Sequence, residues 1–181
     1  RAVHGKNQNY LTPENRVPEK PLPYPWESCI IAGGGWSYSP NAKYMSGREA
    51  VHTLVDIVAK GGNLLLNIAP SPKGEWDEGA YRLLEEIGAW MKVNDEAIYG
   101  TEAMVPYKYE NICVTSKPSG EVYLIYMVDK DQKDVPSEIY FEGLAPKGGK
   151  AQLLGSKKRL KWKKKEKGIS IEIPEEVKAE L

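Results

Sequence analysis

Five prolines, at positions 13, 18, 21, 23 and 25, fall within the stretch YLTPENRVPEKPLPYPWESCIIAGGGWSY (10–38) and constrain the fold more than any other local feature. Each lacks an N–H and pushes the residue before it out of the α region, so most of this half stays out of helix and sheet interiors. The same stretch holds two carboxylates, Glu14 and Glu27, two indoles, Trp26 and Trp36, and the triplet Gly33, Gly34 and Gly35. A long, proline-stiffened loop rich in acids and aromatics is costly to order and points to a site rather than a core. The plain alternative is a surface linker whose prolines and acids are only solvated.

After this stretch the pattern becomes regular. SCIIA (28–32) is a short apolar run of the kind found in a buried parallel strand. Ser46 is placed to cap a helix over 47–60, in which Val51, Leu54, Val55 and Val58 form one apolar stripe, and Gly61-Gly62 ends it. NLLLNIA (63–69) predicts a buried strand, and Asp77 can cap a second helix over 78–94. Ala80, Leu83, Leu84, Ile87, Trp90 and Met91 are the expected buried face of that helix, with Glu85, Glu86 and Lys92 in water. Strand, helix, strand, helix is α/β material. Two strands do not close a sheet, so the order fits either a small open fold or the tail of a larger barrel.

Near Gly100 the helical period stops. Short alternating runs at 121–128, 137–143, 151–155, 159–163 and 168–173, separated by turn clusters such as SKPSG and APKGG, predict an antiparallel β-sandwich. The expected fold class is therefore α/β followed by all-β, divided at 1–100 and 101–181. The end, PEEVKAEL, lacks a closing apolar strand. The chain begins at Arg1 without Met or an apolar leader, as a piece of a longer or processed product would.

Composition narrows the chemistry. Lys plus Arg and Asp plus Glu balance at 25 each, which argues against bulk attraction to nucleic acid or an anionic membrane. The basic run KKRLKWKKKEK (157–167) alternates Leu160 and Trp162 with lysines, as a strand with one wet face does, and lacks the spacing of a base-stacking platform. No apolar run reaches the ~18 residues of a membrane span. Cys29 and Cys113 make no disulfide framework, and neither they nor His4 and His52 stand at metal-ligand spacing, so no zinc site is visible. GGGWSY lacks the glycine spacing of a dinucleotide-binding turn.

Glu14 and Glu27 flank the proline-rich turn, an arrangement suited to glycoside hydrolysis. That reaction needs one carboxyl to protonate the leaving oxygen and a second to act as nucleophile or base. An indole beside a Glu, Trp26 or Trp36, would raise its pKa by desolvation, and Trp36 offers a flat face to a sugar ring. Read as residues alone, each Glu is equally well a solvated or salt-bridged acid.

NYLTPENRVP, PWESCI, GGGWSY, LVDIVAKGGNLLLNIAP and WMKVNDEAIYGT resemble consecutive blocks of the α-L-fucosidases of glycoside hydrolase family 29. The usual forms there read approximately TPE, WE-x-C, WGY, LVDIVSKGGNLLLNIGP and NGEAIYGT. The resemblance runs from about residue 1 to 101, with GGNLLLNI and EAIYGT its most specific parts. It implies the C-terminal part of a (β/α)8-like barrel plus a β-sandwich, in a retaining exo-α-L-fucosidase without metal or cofactor. The implied substrate is a terminal α-L-fucoside on a glycan or glycoside. The family's nucleophile, an Asp, would lie upstream of this sequence, leaving the isolated chain inactive. Glu14 of the TPE block takes the acid/base role, with Glu27 as rival second carboxylate; Arg1, Trp36 and Trp26 are the implied sugar contacts. Ser37 stands where the family has Gly, which bears on the loop geometry. The alternative from another class is a non-catalytic carbohydrate-binding or scaffolding module, in which the sandwich is the working part.

Overall fold

The computed structural model of the chain describes residues 9–132, 135–156 and 158–178. The expected loop over 1–8, and with it Arg1, lies outside the described residues. From Glu27 the chain runs β1 (Glu27–Ile31), α1 (Gly47–Ala59), β2 (Asn63–Asn67) and α2 (Glu78–Asn94). β1 and β2 are parallel neighbours, with Glu27 opposite Asn63 and Ile31 opposite Asn67. The proline-rich stretch supplies a third line of backbone on the other side of β1. Leu11 pairs with Trp26 and Glu14 with Cys29, both in parallel.

That third line is held by main-chain bonds at Glu27 and Cys29 of β1 and at Pro25 just before it. Glu27 N–H donates to Leu11 O at 2.9 Å and Cys29 N–H to Pro13 O at 2.9 Å. In return, Leu11 and Asn15 donate to Pro25 O and Cys29 O at 3.0 and 2.8 Å. Pro13, between them, has no N–H to give, so the ladder has one gap and survives it. Successive side chains alternate across a strand. Trp26, Ser28 and Leu64 therefore face α1, and Glu27, Cys29 and Leu65 face the opposite way.

α1 begins at Ser46 with a complete capping box. The Ser46 hydroxyl accepts from Glu49 N–H, and Glu49 reaches back to Ser46 N–H at 2.8 Å. Glu86, expected in water, accepts a second orphan donor, Gly47 N–H, at 2.8 Å and so joins α2 to the start of α1. Gly61 ends the helix in the left-handed region, φ 78°. Gly62 follows with no room for a side chain, because a Cβ there would overlap the six-membered ring of Trp26. Trp26, Leu11 and Ile57 form a small core between the parallel layer and α1.

After a 3₁₀ turn at Asp95–Ala97 come β3 (Glu102–Tyr109), β4 (Ile112–Ser116) and β5 (Val122–Tyr126), an antiparallel sheet in that order. β6 (Glu138–Glu142), β9 (Trp162–Lys165) and β10 (Gly168–Glu172) form a second, in the order β6-β10-β9. β7 (Ala151–Gln152) and β8 (Arg159–Leu160) make a short antiparallel pair. The two larger sheets share a core containing Ile112, Val114, Phe141, Ile169 and Ile171. Leu160 and Trp162 pack against it, while Lys163, Lys164 and Lys165 stay exposed; Lys163 pairs with Glu172 at 2.8 Å.

β4 is buried on both faces. Ile112 and Val114 point into the shared core, whereas Cys113 packs with Val51, Val55 and Ala59 of α1. Burial pushes the Cys113 thiol up to about 11. The buried Thr115 hydroxyl donates to Ala97 O at 2.7 Å. So α1 is covered on one side by the parallel layer and on the other by the antiparallel one.

Several expectations are revised. β2 is not buried on both faces among the described residues: Leu65 is 47% exposed on the face away from α1. α2 buries only Ala80 and Leu83 fully, with Leu84, Ile87, Trp90 and Met91 half-buried. β3 and β4 go beyond the runs read from the sequence. At the end, a short helix α3 (Glu175–Lys178) brings Val177 into the sandwich core where no apolar strand was found.

Two tests follow from the packing. Gly62→Ala should lower unfolding free energy by about 1–3 kcal/mol, the usual result of overfilling a packed site, read from the urea midpoint at constant m-value. The half-buried His52, on α1, has its pKa lowered from 6.5, first by burial and then by Arg48 and Lys108 against Asp129. Its unfolded form binds a proton first, so stability should fall as pH drops from about 6.5 through the lower folded value. His52→Gln should flatten that part of the stability–pH curve, measured by denaturation between pH 7 and 5.

Candidate active site

The face of the parallel layer turned away from α1 carries the polar groups. Glu14 and Cys29 are register partners and so lie on one face, and both Glu27 and Glu14 act electrostatically on the Cys29 thiol. Its pKa is raised by burial first, then by those two carboxylates. The thiol thus stays protonated at neutral pH and is no nucleophile. Asn63 and Asn67 of β2 share this face, opposite Glu27 and Ile31.

The two carboxylates stand at different heights. Glu14 is level with Cys29, while Glu27 opens β1, two residues nearer the N-terminal end of the strand and so roughly 7 Å lower. Glu14 is exposed and Glu27 half-buried. Directly after Glu14 the backbone leaves the sheet: Asn15 is left-handed, φ 48°. Its Oδ1 accepts Ile31 N–H at 3.0 Å. The Arg16 carbonyl then accepts the buried Ser28 hydroxyl at 2.8 Å, turning the chain back over the α1 side.

The loops leaving the C-terminal ends of β1 and β2 are tied to one another. Asn67 Nδ2 donates to the carbonyls of Gly35 and Trp36 at 3.3 and 3.5 Å, which holds the GGGWSY loop over the end of β2. Gly33 bridges to Tyr44 so closely that a Cβ would lie 2.6 Å from Lys43 O. The Tyr44 hydroxyl donates to Asp77 at 3.2 Å, joining this loop to the one before α2. Trp36 presents its indole at 41% exposure.

Of the implied sugar contacts, Arg1 lies outside the described residues and Trp36 sits on an exposed loop at the strand ends. Trp26 is corrected. Only 1% exposed, it packs between β1 and α1, on the opposite side of the sheet from Glu14. It can neither stack on a sugar nor desolvate that acid. Its even position, three residues before Cys29, carried the signal, since odd spacing along a strand reverses the face. Asn15 and Asn67 are the residues that sequence reasoning missed. Among the described residues no cluster of three or more His, Cys, Asp or Glu is placed to hold a metal ion. A cleft of about 520 Å³ beside Gly62, Asn63, Tyr99 and Thr101 and another of about 1050 Å³ beside His52, Trp90 and Met127 are lined by neither Glu14 nor Glu27, although the first reaches Asn63, the register partner of Glu27.

Residues 1–96 match the family profile described as Alpha-L-fucosidase. The chain belongs to the α-L-fucosidase family. Among curated relatives it is 33% identical to the plasma alpha-L-fucosidase of Rattus norvegicus, over 93% of this chain and 39% of that protein. It is 34% identical to the plasma alpha-L-fucosidase of Homo sapiens, over 94% of this chain and 38% of that one. The chain therefore spans about two fifths of the length of these relatives. Similar solved structures include alpha-L-fucosidase isoenzyme 1 from Paenibacillus thiaminolyticus, with TM-score 0.80 and 28% identity over 92% of this chain and 41% of that one. The Thermotoga maritima alpha-fucosidase in complex with fucose has TM-score 0.75 and 29% identity over 88% and 38%. GGNLLLNI (61–68) thus spans β2, one line of the parallel layer, and EAIYGT (96–101) follows α2. No helix among the described residues is long and apolar enough to cross a membrane.

Proposed function

We propose that this sequence is the C-terminal part of a retaining exo-α-L-fucosidase that releases terminal α-L-fucose from glycans or glycosides. In this reading the parallel layer closes a (β/α)8-like barrel, and the face bearing Glu14 and Glu27 is the barrel interior. The observation that carries it is the position of Glu14, on the face of the parallel layer turned away from α1, at the last sheet residue before the chain turns away. Barrel enzymes place catalytic groups at the C-terminal ends of their strands.

The chemistry divides into two displacements. In the first, an aspartate outside this sequence attacks the anomeric carbon while Glu14 gives its proton to the departing oxygen. The C–O bond to the leaving group breaks and a fucosyl ester forms. In the second, Glu14, now a carboxylate, takes a proton from water; that water attacks the same carbon and releases the aspartate. Glu14 suits the acid/base role better than Glu27 because substrate enters from the strand ends and Glu27 is deeper. Glu27 is the second carboxylate, serving the sugar from below. Trp36 offers its indole to the apolar face of the sugar, and Arg1 contacts the fucose. No step requires a metal or cofactor.

The test uses the full-length protein carrying this sequence, because the 181-residue chain alone is expected to be inactive. Glu14→Gln should lower kcat/KM for an alkyl or other poor-leaving-group fucoside by about 10²–10⁴-fold. For a dinitrophenyl fucoside, whose leaving group departs unaided, the loss should be far smaller. Glu27→Gln should show no such dependence on the leaving group. If Glu14→Gln keeps full rate on the poor-leaving-group substrate, the acid lies elsewhere; should no fucoside be turned over by the wild type, the non-catalytic carbohydrate module takes over.

A further inference from the structure

The ladder beside β1 repeats every second residue, and one rung is made differently. Glu27 N–H donates to the main-chain carbonyl of Leu11 and Cys29 N–H to that of Pro13. The next rung of a regular parallel ladder would be Ile31 N–H to the main-chain carbonyl of Asn15. Instead Ile31 donates to the side-chain Oδ1 of Asn15 at 3.0 Å. Asn15 meanwhile has φ 48°, a conformation that Asn tolerates better than other residues with a Cβ, bar Asp. Its own N–H remains in the ladder, bonded to Cys29 O at 2.8 Å.

We infer that Asn15 is the positioning residue for Glu14. The side-chain carbonyl stands in for the main-chain one, so β1 keeps its last rung while the chain leaves the sheet at once. Glu14 is thereby held at the rim, pinned on one side by Pro13 O and on the other by both ends of Asn15. Glu14 itself has no side-chain hydrogen bond or ion pair among the described residues. No side-chain contact therefore places Glu14: the face it stands on and its height along the sheet come from the backbone, and the backbone there is held by Asn15. A regular strand through residue 15 would carry the chain further up the sheet and leave Glu14 below the rim. This inference rests on the proposed acid/base role of Glu14.

Three substitutions separate the two contributions of Asn15, all made in the full-length protein. Asn15→Gly keeps the left-handed backbone but removes Oδ1. Asn15→Ala removes both advantages. Asn15→Asp keeps both. The readout is kcat/KM, which reports the first displacement, on a poor-leaving-group fucoside and on a dinitrophenyl fucoside. A misplaced acid costs only the substrate that needs the proton. Asn15→Gly and Asn15→Ala should lose about ten- to a hundredfold on the first substrate and little on the second, with Asn15→Asp recovering most of the loss. Glu14→Gln is run beside them. If Glu14→Gln shows the leaving-group split and the Asn15 variants instead lose both substrates equally, or only melt earlier, Asn15 is structural and the inference fails. If Glu14→Gln shows no split, the parent reading fails with it.

Discussion

The structure depends on the hydrogen bonds that β1 makes on both sides. β2 supplies one set, through an in-register parallel pairing. A proline-interrupted segment that is hardly a strand supplies the other. Once that backbone is set, alternation sorts the side chains without further instruction. Trp26 and Ser28 go to α1, while Glu27 and Cys29 go to the other face, where the partner segment adds Glu14. Core and candidate site are two faces of one strand, separated by a single residue of register.

α1 joins this layer to the rest. Its apolar residues meet the parallel layer through Ile57 and the sandwich through Val51, Val55 and Ala59 against Cys113. The sandwich strand β4 thereby has no wet face, and the Thr115–Ala97 bond seals the turn between them. The second layer thus buttresses the helix that backs the parallel sheet. Its aromatic and basic residues, Trp162 and the lysines around it, are accounted for by packing inward and solvation outward, with Lys163 also paired to Glu172. On the open face of the parallel layer, by contrast, Asn67 is tied to the loop carbonyls of Gly35 and Trp36, whereas the Glu14 side chain has no hydrogen bond or ion pair among the described residues.

Much of this was legible in the residues. Ser46, Asp77 and Gly61 mark the helix ends because caps act through local backbone donors, acceptors and φ, which a sequence carries directly. The order strand, helix, strand, helix, then strands alone, was also readable. β3 was not, since Pro106 breaks its period and its register shifts between Ala103 and Lys108. Leu65 misled because an apolar run looks the same whether its second face is covered by this chain or by something else. Trp26 misled for a related reason: an indole beside a glutamate in sequence stands on the far side of the sheet in space. Asn15 and Asn67 escaped notice because an amide that replaces a main-chain group has no sequence period at all.

The central claim is that fucose is handled on the α1-distal face of the parallel layer with Glu14 at its anomeric oxygen. A crystal structure of the full-length protein with fucose bound tests this most directly. A Glu14 carboxylate oxygen is expected within about 2.6–3.2 Å of the anomeric hydroxyl, with the Trp36 indole against the sugar's C–H face. Fucose bound with Glu27 at its anomeric oxygen and Glu14 pointing into water, or fucose seated on the β-sandwich, would contradict it.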